Sequence, residues 1–189
     1  MNKETTVIGV AGLIIGFLLG ILVGGKLMGG AHSTSGSVGS QQAGAPMTSP
    51  GQAAARAAEL EQILAKDPKN LQAWIALGND YFDSNQPQKA VQAYTKALEL
   101  DPNNPNVLTD QGVMFRALGF YDRALANFEK ALKVDPKHLQ SQFNIGIVYA
   151  TDLKQNAKAR ATFEALLQKD QTSDLARQAR EMLKQLPEK

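Results

Sequence analysis

An all-α solenoid of stacked helical pairs, preceded by a single membrane-spanning helix, is the fold class this sequence predicts. Three observations carry it. Several residues recur at an interval of 34; apolar side chains follow helical spacing from Arg56 onward; and an uncharged apolar run occupies Val7 to Gly25. A repeat of that length signals a solenoid, because one helical pair cannot bury its own apolar face and stacking the pairs can.

Residues 1–6 form a short tail, and the run that follows spans 19 residues, flanked by Lys3 and Glu4 before it and Lys26 after it. At about 1.5 Å per residue a helix of this length crosses the roughly 30 Å hydrocarbon core, with every backbone amide satisfied internally. A cleaved signal peptide is the competing reading, since Gly29-Gly30-Ala31 offers small residues for cleavage; its apolar core is usually shorter, roughly 7–15 residues. Length therefore favours a retained anchor. The positive-inside comparison of Lys3 and the terminal amine with Lys26 is nearly a tie. A short leading tail commonly stays inside, which places the remainder outside the cytoplasm.

Within this run Gly12, Gly16, Gly20 and Gly24 stand at every fourth position. Such a ladder opens a groove that lets a second helix backbone approach closely in lipid. It predicts a helix-pairing surface, for self-association or for another anchor.

Residues 26–55 read as a flexible linker. "GGAHSTSGSVGSQQAGAPMTSP" has almost no large apolar side chain and cannot bury enough surface to offset ordering.

The repeat itself is specific. Gly78, Gly112 and Gly146 share one register, as do Tyr81, Phe115 and Tyr149, and Asp67-Pro68, Asp101-Pro102 and Asp135-Pro136. Ala90 with Ala124, Tyr94 with Phe128, and Ala97 with Ala131 keep the same interval. Each glycine falls inside the first helix of a pair, where it costs about 1 kcal/mol relative to alanine unless close packing needs it. Each aspartate before proline is pushed out of helix, which ends the pair.

These residues resemble the tetratricopeptide repeat (TPR) family, whose pattern runs W-x2-L-G-x2-Y, then A-x3-F, then P. Trp74, Leu77, Gly78, Tyr81, Ala90, Tyr94, Ala97 and Pro102 fit throughout. The second repeat has Leu108 and Gln111 at the first two places. The third slips by one residue, so that Ala159 and Phe163 take the later places and Gln171 stands where proline is expected. Repeats are expected near 71–104, 105–138 and 139–172, in a domain covering 56–189. Arg56 to Lys66 reads as a lone second helix. Ser173 to Leu186, with Ser173 as N-cap and an apolar stripe through Leu175, Ala179 and Met182, reads as the terminal capping helix.

Composition argues against other classes. Cysteine is absent, which removes disulfides, thiolate metal sites and cysteine nucleophiles. From Arg56 onward there are 18 basic and 17 acidic residues, without the basic stripe that nucleic-acid binding shows. His32 and His138, isolated and more than a hundred residues apart, make a poor metal pair, and His138 reads as a solvated loop residue. "DPNNPN" lacks the turn glycine and closing glutamate of a calcium loop. No catalytic, cofactor-binding or metal site is expected, and so no enzyme.

Binding is the remaining expectation. The first helix of each pair should line a concave groove. The register assigns to it Gln72, Ile75, Asn79 and Phe82; then Asn106, Thr109, Val113 and Arg116; then Gln140, Phe143, Asn144 and Ile147. This mixture suits a protein or peptide, with Arg116 as the evident cation. Some TPR proteins clamp acidic chaperone tails with lysines and asparagines. Asn79 fits one such position, but Ile75, Thr109, Asp110 and Val113 do not complete the clamp. The second and third repeats and "QAREMLKQL" are also similar to the bacterial TPR factors of cytochrome c maturation. That resemblance implies a single-pass protein of the bacterial inner membrane, with its repeats in the periplasm, presenting apocytochrome to haem-attachment machinery.

Overall fold

The computed structural model describes residues 50–187. The expected spanning helix 7–25, its glycine ladder and residues 26–49 of the expected linker lie outside them. Among the described residues no helix is long and apolar enough to cross a membrane.

Eight α-helices follow one another in this region: α1 (Pro50–Lys66), α2 (Leu71–Asp83), α3 (Pro87–Leu100), α4 (Pro105–Ala117), α5 (Tyr121–Val134), α6 (Leu139–Ile147), α7 (Asn156–Lys169) and α8 (Asp174–Gln185). The pairs α2/α3, α4/α5 and α6/α7 occupy the three expected repeats, and α8 closes the stack against α7 and α6. One boundary differs. Helix α1 begins at Pro50, six residues before the expected domain start at Arg56, so "PGQAAA" belongs to a helix. Proline suits a first helical turn, where its missing N–H is not needed, and the alanines favour continuation.

The same local devices set each element. Asn70, Asn104, His138 and Ser173 cap α2, α4, α6 and α8 by accepting the backbone N–H three residues on. Before each cap an aspartate closes the turn: Oδ1 of Asp67, Asp101, Asp135 and Asp170 accepts the N–H two residues later, at 2.9–3.3 Å. The fourth turn therefore needs no proline. Gln171 takes its place, and Asp170 also accepts from the Thr172 hydroxyl and the Ser173 N–H. Hydrogen bonds from Ser173 and Thr172 hold the Asp170 carboxyl down at about 2.

Inside each pair a glycine meets an aromatic ring. A Cβ on Gly78, Gly112 or Gly146 would stand 2.4–2.5 Å from Tyr94, Phe128 or Phe163 respectively. These rings are almost wholly buried, as are Ala90, Ala124 and Ala159 on the same second helices. Three apolar clusters result, and they are continuous: Val113 packs against the first and second, Tyr149 against the second and third. On the outer side, Lys89, Arg123 and Lys158 each lie over an aromatic ring, of Tyr81, Phe115 and Tyr149, at 5.1–5.3 Å.

The one-residue slip in the third repeat has a physical form. Helix α6 runs into a π-helical turn, Val148–Asp152. In the first two repeats the N–H that closes the turn within the pair bonds five residues back (Gln86 to Tyr81, Phe120 to Phe115); in the third it bonds six back, Gln155 to Tyr149. The wider turn absorbs the extra residue and keeps Phe163 in register with Gly146.

Candidate functional site

The face carried by α2, α4 and α6 is where the sequence places a partner. Gln72, Asn106 and Gln140 occupy one register position on successive first helices, and all three are exposed. Beside them Ile75, Phe82, Val113 and Ile147 are half-buried, each packing partly against a core cluster. This face offers amides for backbone recognition next to apolar patches.

Two of the expected lining residues are not available. Thr109 is 2% exposed: its hydroxyl donates to the Pro105 carbonyl at 2.7 Å and shares a 2.6 Å hydrogen bond with Ser141. Phe143 is 8% exposed and lies tilted against Phe163, with ring centroids 5.6 Å apart. Both are covered by other helices, Thr109 by α6 of the next pair and Phe143 by α7 of its own, whereas Ile75 at the same register stays half-buried.

Arg116 is not a free cation. Its Nε donates to Asp152 Oδ2 at 2.5 Å, and its terminal nitrogen reaches Asp152 Oδ1 and the Thr151 hydroxyl. Both partners sit in the π-helical turn, which turns Asp152 toward α4. Asn79 is exposed yet accepts the Tyr94 hydroxyl at 2.9 Å. A hydrogen bond to a buried tyrosine gives it a structural duty besides any contact with a partner.

His138 is likewise more than a solvated loop residue. Its Nδ1 accepts the Ser141 N–H and lies 2.8 Å from the Ser141 hydroxyl, while Nε2 faces Asn106 Oδ1 at 3.0 Å. An acceptor at Nδ1 and an acceptor opposite Nε2 together assign the Nε2–H tautomer. Burial lowers its pKa, with Asp135 opposing. It joins α6 to α4 and fixes Asn106.

One residue the groove assignment left out belongs to this face. Asp110 lies on the α4 stripe between Asn106 and Val113, at the i, i+4, i+7 spacing that brings all three to one side. Its carboxylate accepts no hydrogen bond and forms no ion pair among the described residues, and burial pushes it up to about 6. It lies within electrostatic reach of the Tyr94 hydroxyl, whose pKa is raised by burial first and then by Asp110, Asp83 and Asp80. Asp80 itself is fully buried and neutralised by Arg56 of α1. One repeat on, Asn144 takes the position of Asp110, and its Nδ2 is buried without a hydrogen-bond partner.

On the opposite side, a groove of about 620 Å³ runs over α2 between α1 and α3, floored by Leu64, Trp74, Leu77, Tyr81 and Ala93. Its counterpart in the next repeat holds Gln111, which stands at the family's leucine position. That side chain is fully paired, donating to the Val91 carbonyl and Thr95 and accepting from Asn127. Among the described residues no group of three or more His, Cys, Asp or Glu could hold a metal ion.

Comparison with known proteins agrees with this architecture. Two tetratricopeptide repeat profiles match residues 71–104 and 109–174. Protein O-mannosyl-transferase TMTC3 of Homo sapiens is 39% identical over 88 residues, which is 46% of this chain and 10% of that protein. Hsp70-Hsp90 organizing protein 2 of Arabidopsis thaliana is 29% identical over 112 residues, 59% of this chain and 19% of that protein. The chain thus spans a fifth or less of the length of these relatives. Among solved structures, a tetratricopeptide repeat protein from Parabacteroides merdae superimposes with a TM-score of 0.63 at 23% identity, covering 72% of this chain and 54% of that one. With the helical pairs, the glycine–aromatic contacts and the two matched profiles in agreement, the chain belongs to the tetratricopeptide repeat family.

Proposed function

We propose that this protein is a membrane-tethered, non-catalytic adaptor that holds a protein or peptide partner against the face of α2, α4 and α6. The observation that carries the reading is the exposed row Gln72–Asn106–Gln140, one amide per repeat at a constant register. Such a row can pair with an extended or helical backbone while Ile75, Val113 and Ile147 receive apolar side chains. The likeness to an Hsp70-Hsp90 organizing protein, a bringing-together function by its name, supports an interaction role. The apolar run Val7 to Gly25 supplies the tether, in a bacterial inner membrane with the repeats on the periplasmic side, and its glycine ladder pairs two such anchors.

Photo-cross-linkers placed at Gln72 and at Gln140 of the full chain in native membranes test the binding face. The same partner captured from both positions, and from neither Glu129 nor Lys130 on the outer helix α5, supports the reading. Capture from α5 alone sinks it. Since the chain has no cysteine, a single introduced Gln168→Cys and a membrane-impermeant maleimide report the side of the membrane. The narrower reading, an accessory factor of cytochrome c maturation, rests on the likeness of the later repeats and "QAREMLKQL"; a captured partner whose binding depends on haem supply selects it.

A further inference from the structure

We infer that the face of α2, α4 and α6 selects a basic segment, with Asp110 receiving a lysine or arginine side chain of the partner. This deepens the adaptor reading and rests on it.

The charges on this face lean one way. Its cation, Arg116, is closed off by Asp152. On α2 the buried Asp80 is paired with Arg56, which Asp83 also attracts, and on α4 Asp110 remains, acting on the Tyr94 hydroxyl. The preference is local, since the domain as a whole carries nearly equal numbers of basic and acidic residues.

Asp110 is also prepared for a donor. A carboxylate can accept several hydrogen bonds and this one accepts none, although it is half-buried. The Tyr94 hydroxyl, on which Asp110 acts electrostatically, is turned to Asn79 at 2.9 Å. An incoming ammonium or guanidinium would meet an acceptor with no competing internal partner, in surroundings where a charge-assisted bond is strong. At the matching position of the next repeat, Asn144 Nδ2 is a buried donor that also lacks a partner. It is suited to a backbone carbonyl of the same segment. An acceptor and a donor, both unmet and one repeat apart, describe a chain carrying a basic side chain across α4 and α6.

The test uses the full chain with an environment-sensitive dye on an introduced Gln72→Cys, and separately on Glu129→Cys of the outer face. The probes are a 13-residue peptide of Ala, Leu and Lys and its twin with Glu for every Lys. The expected result is a response at Gln72→Cys only, with the Lys peptide binding about tenfold or more tightly than the Glu twin. Asp110→Asn, nearly isosteric, should remove that preference. Equal or opposite preference at the groove dye, or a preference that survives Asp110→Asn, overturns the inference and leaves the adaptor reading standing. A response confined to Glu129→Cys, or none at either dye, overturns both.

Discussion

Gly146 lies so close to the ring of Phe163 that a Cβ there would stand 2.4 Å from Cε1. The contact sits between α6 and α7, and Phe163 is fully buried. Alanine at 146 would gain about 1 kcal/mol in helix propensity. It would also push a core ring from its site, and overpacking of this kind costs about 1–3 kcal/mol. Overpacking wins, because the ring has no exposed end to swing away. Gly146→Ala is therefore expected to lower stability by up to about 2 kcal/mol net, read as the shift in urea midpoint. An unchanged or higher midpoint would show that α6 and α7 separate easily. Gly119, with nothing within 4 Å of its Cβ position but φ of +79°, should fail for the different reason of backbone strain.

Asp110 supplies the pH dependence. Its folded value of about 6 lies above the ordinary 3.8. The linkage sign follows: the group contributes stability below about pH 4 and that contribution is lost as pH rises through about 6. At pH 7 the buried, unpaired carboxylate costs on the order of 1–3 kcal/mol. Asp110→Asn should thus be more stable than the parent at pH 7, with the gap closing toward pH 4. His138, whose pKa is lowered by burial, acts with the opposite sign. It is present in both proteins and cancels in the difference. A gap that is constant with pH would show that the carboxylate is solvated.

Much of this was legible in the sequence, and what was not has identifiable causes. The register of Gly78, Gly112 and Gly146 is a direct image of the ring contacts, so pairing and repeat boundaries could be read from spacing. Register reports which side of a helix a residue is on and not how deeply the neighbouring helix covers it. Thr109 and Phe143 share the register of the half-buried Ile75 and are nonetheless covered. The slip before Ala159 was visible, but its consequence was not: a π-helical turn that carries Asp152 to Arg116, 36 residues away. Asp110 had a readable signal in its spacing from Asn106 and Val113. Its significance lies in having no partner, which a sequence cannot display.

The turn between the helices of each pair contains a left-handed residue: Asn85 (φ 55°), Gly119 (φ 79°) and Lys154 (φ 54°). Glycine adopts this conformation freely and asparagine tolerates it, whereas a lysine pays the full steric penalty. Lys154 is exposed. Lys154→Gly is expected to raise stability by about 0.5–1 kcal/mol, with Asn85→Gly gaining less. Thermal unfolding of the two variants beside the parent checks the order. Loss of stability in Lys154→Gly would mean that the unfolded chain's added freedom outweighs the relief of strain.

The Arg116–Asp152 pair gives the last prediction, because it decides whether Arg116 belongs to the binding face or to the fold. Their side chains are 34% and 15% exposed, and the contact uses two guanidinium nitrogens. A two-point contact on planar guanidinium resists screening better than a single exposed pair does. A double-mutant cycle with Arg116→Ala and Asp152→Ala should return a coupling of about 1 kcal/mol in unfolding. Arg116→Lys should recover less than half of it, since an ammonium cannot copy the fork that reaches both Asp152 and Thr151. Asp152→Ala also frees Arg116 on a face that otherwise carries negative charge. That variant should accept the Glu-containing peptide better than the parent does, with the Lys peptide weakened in step. No coupling, together with unchanged peptide preference, would place Arg116 in solvent and return it to the binding face.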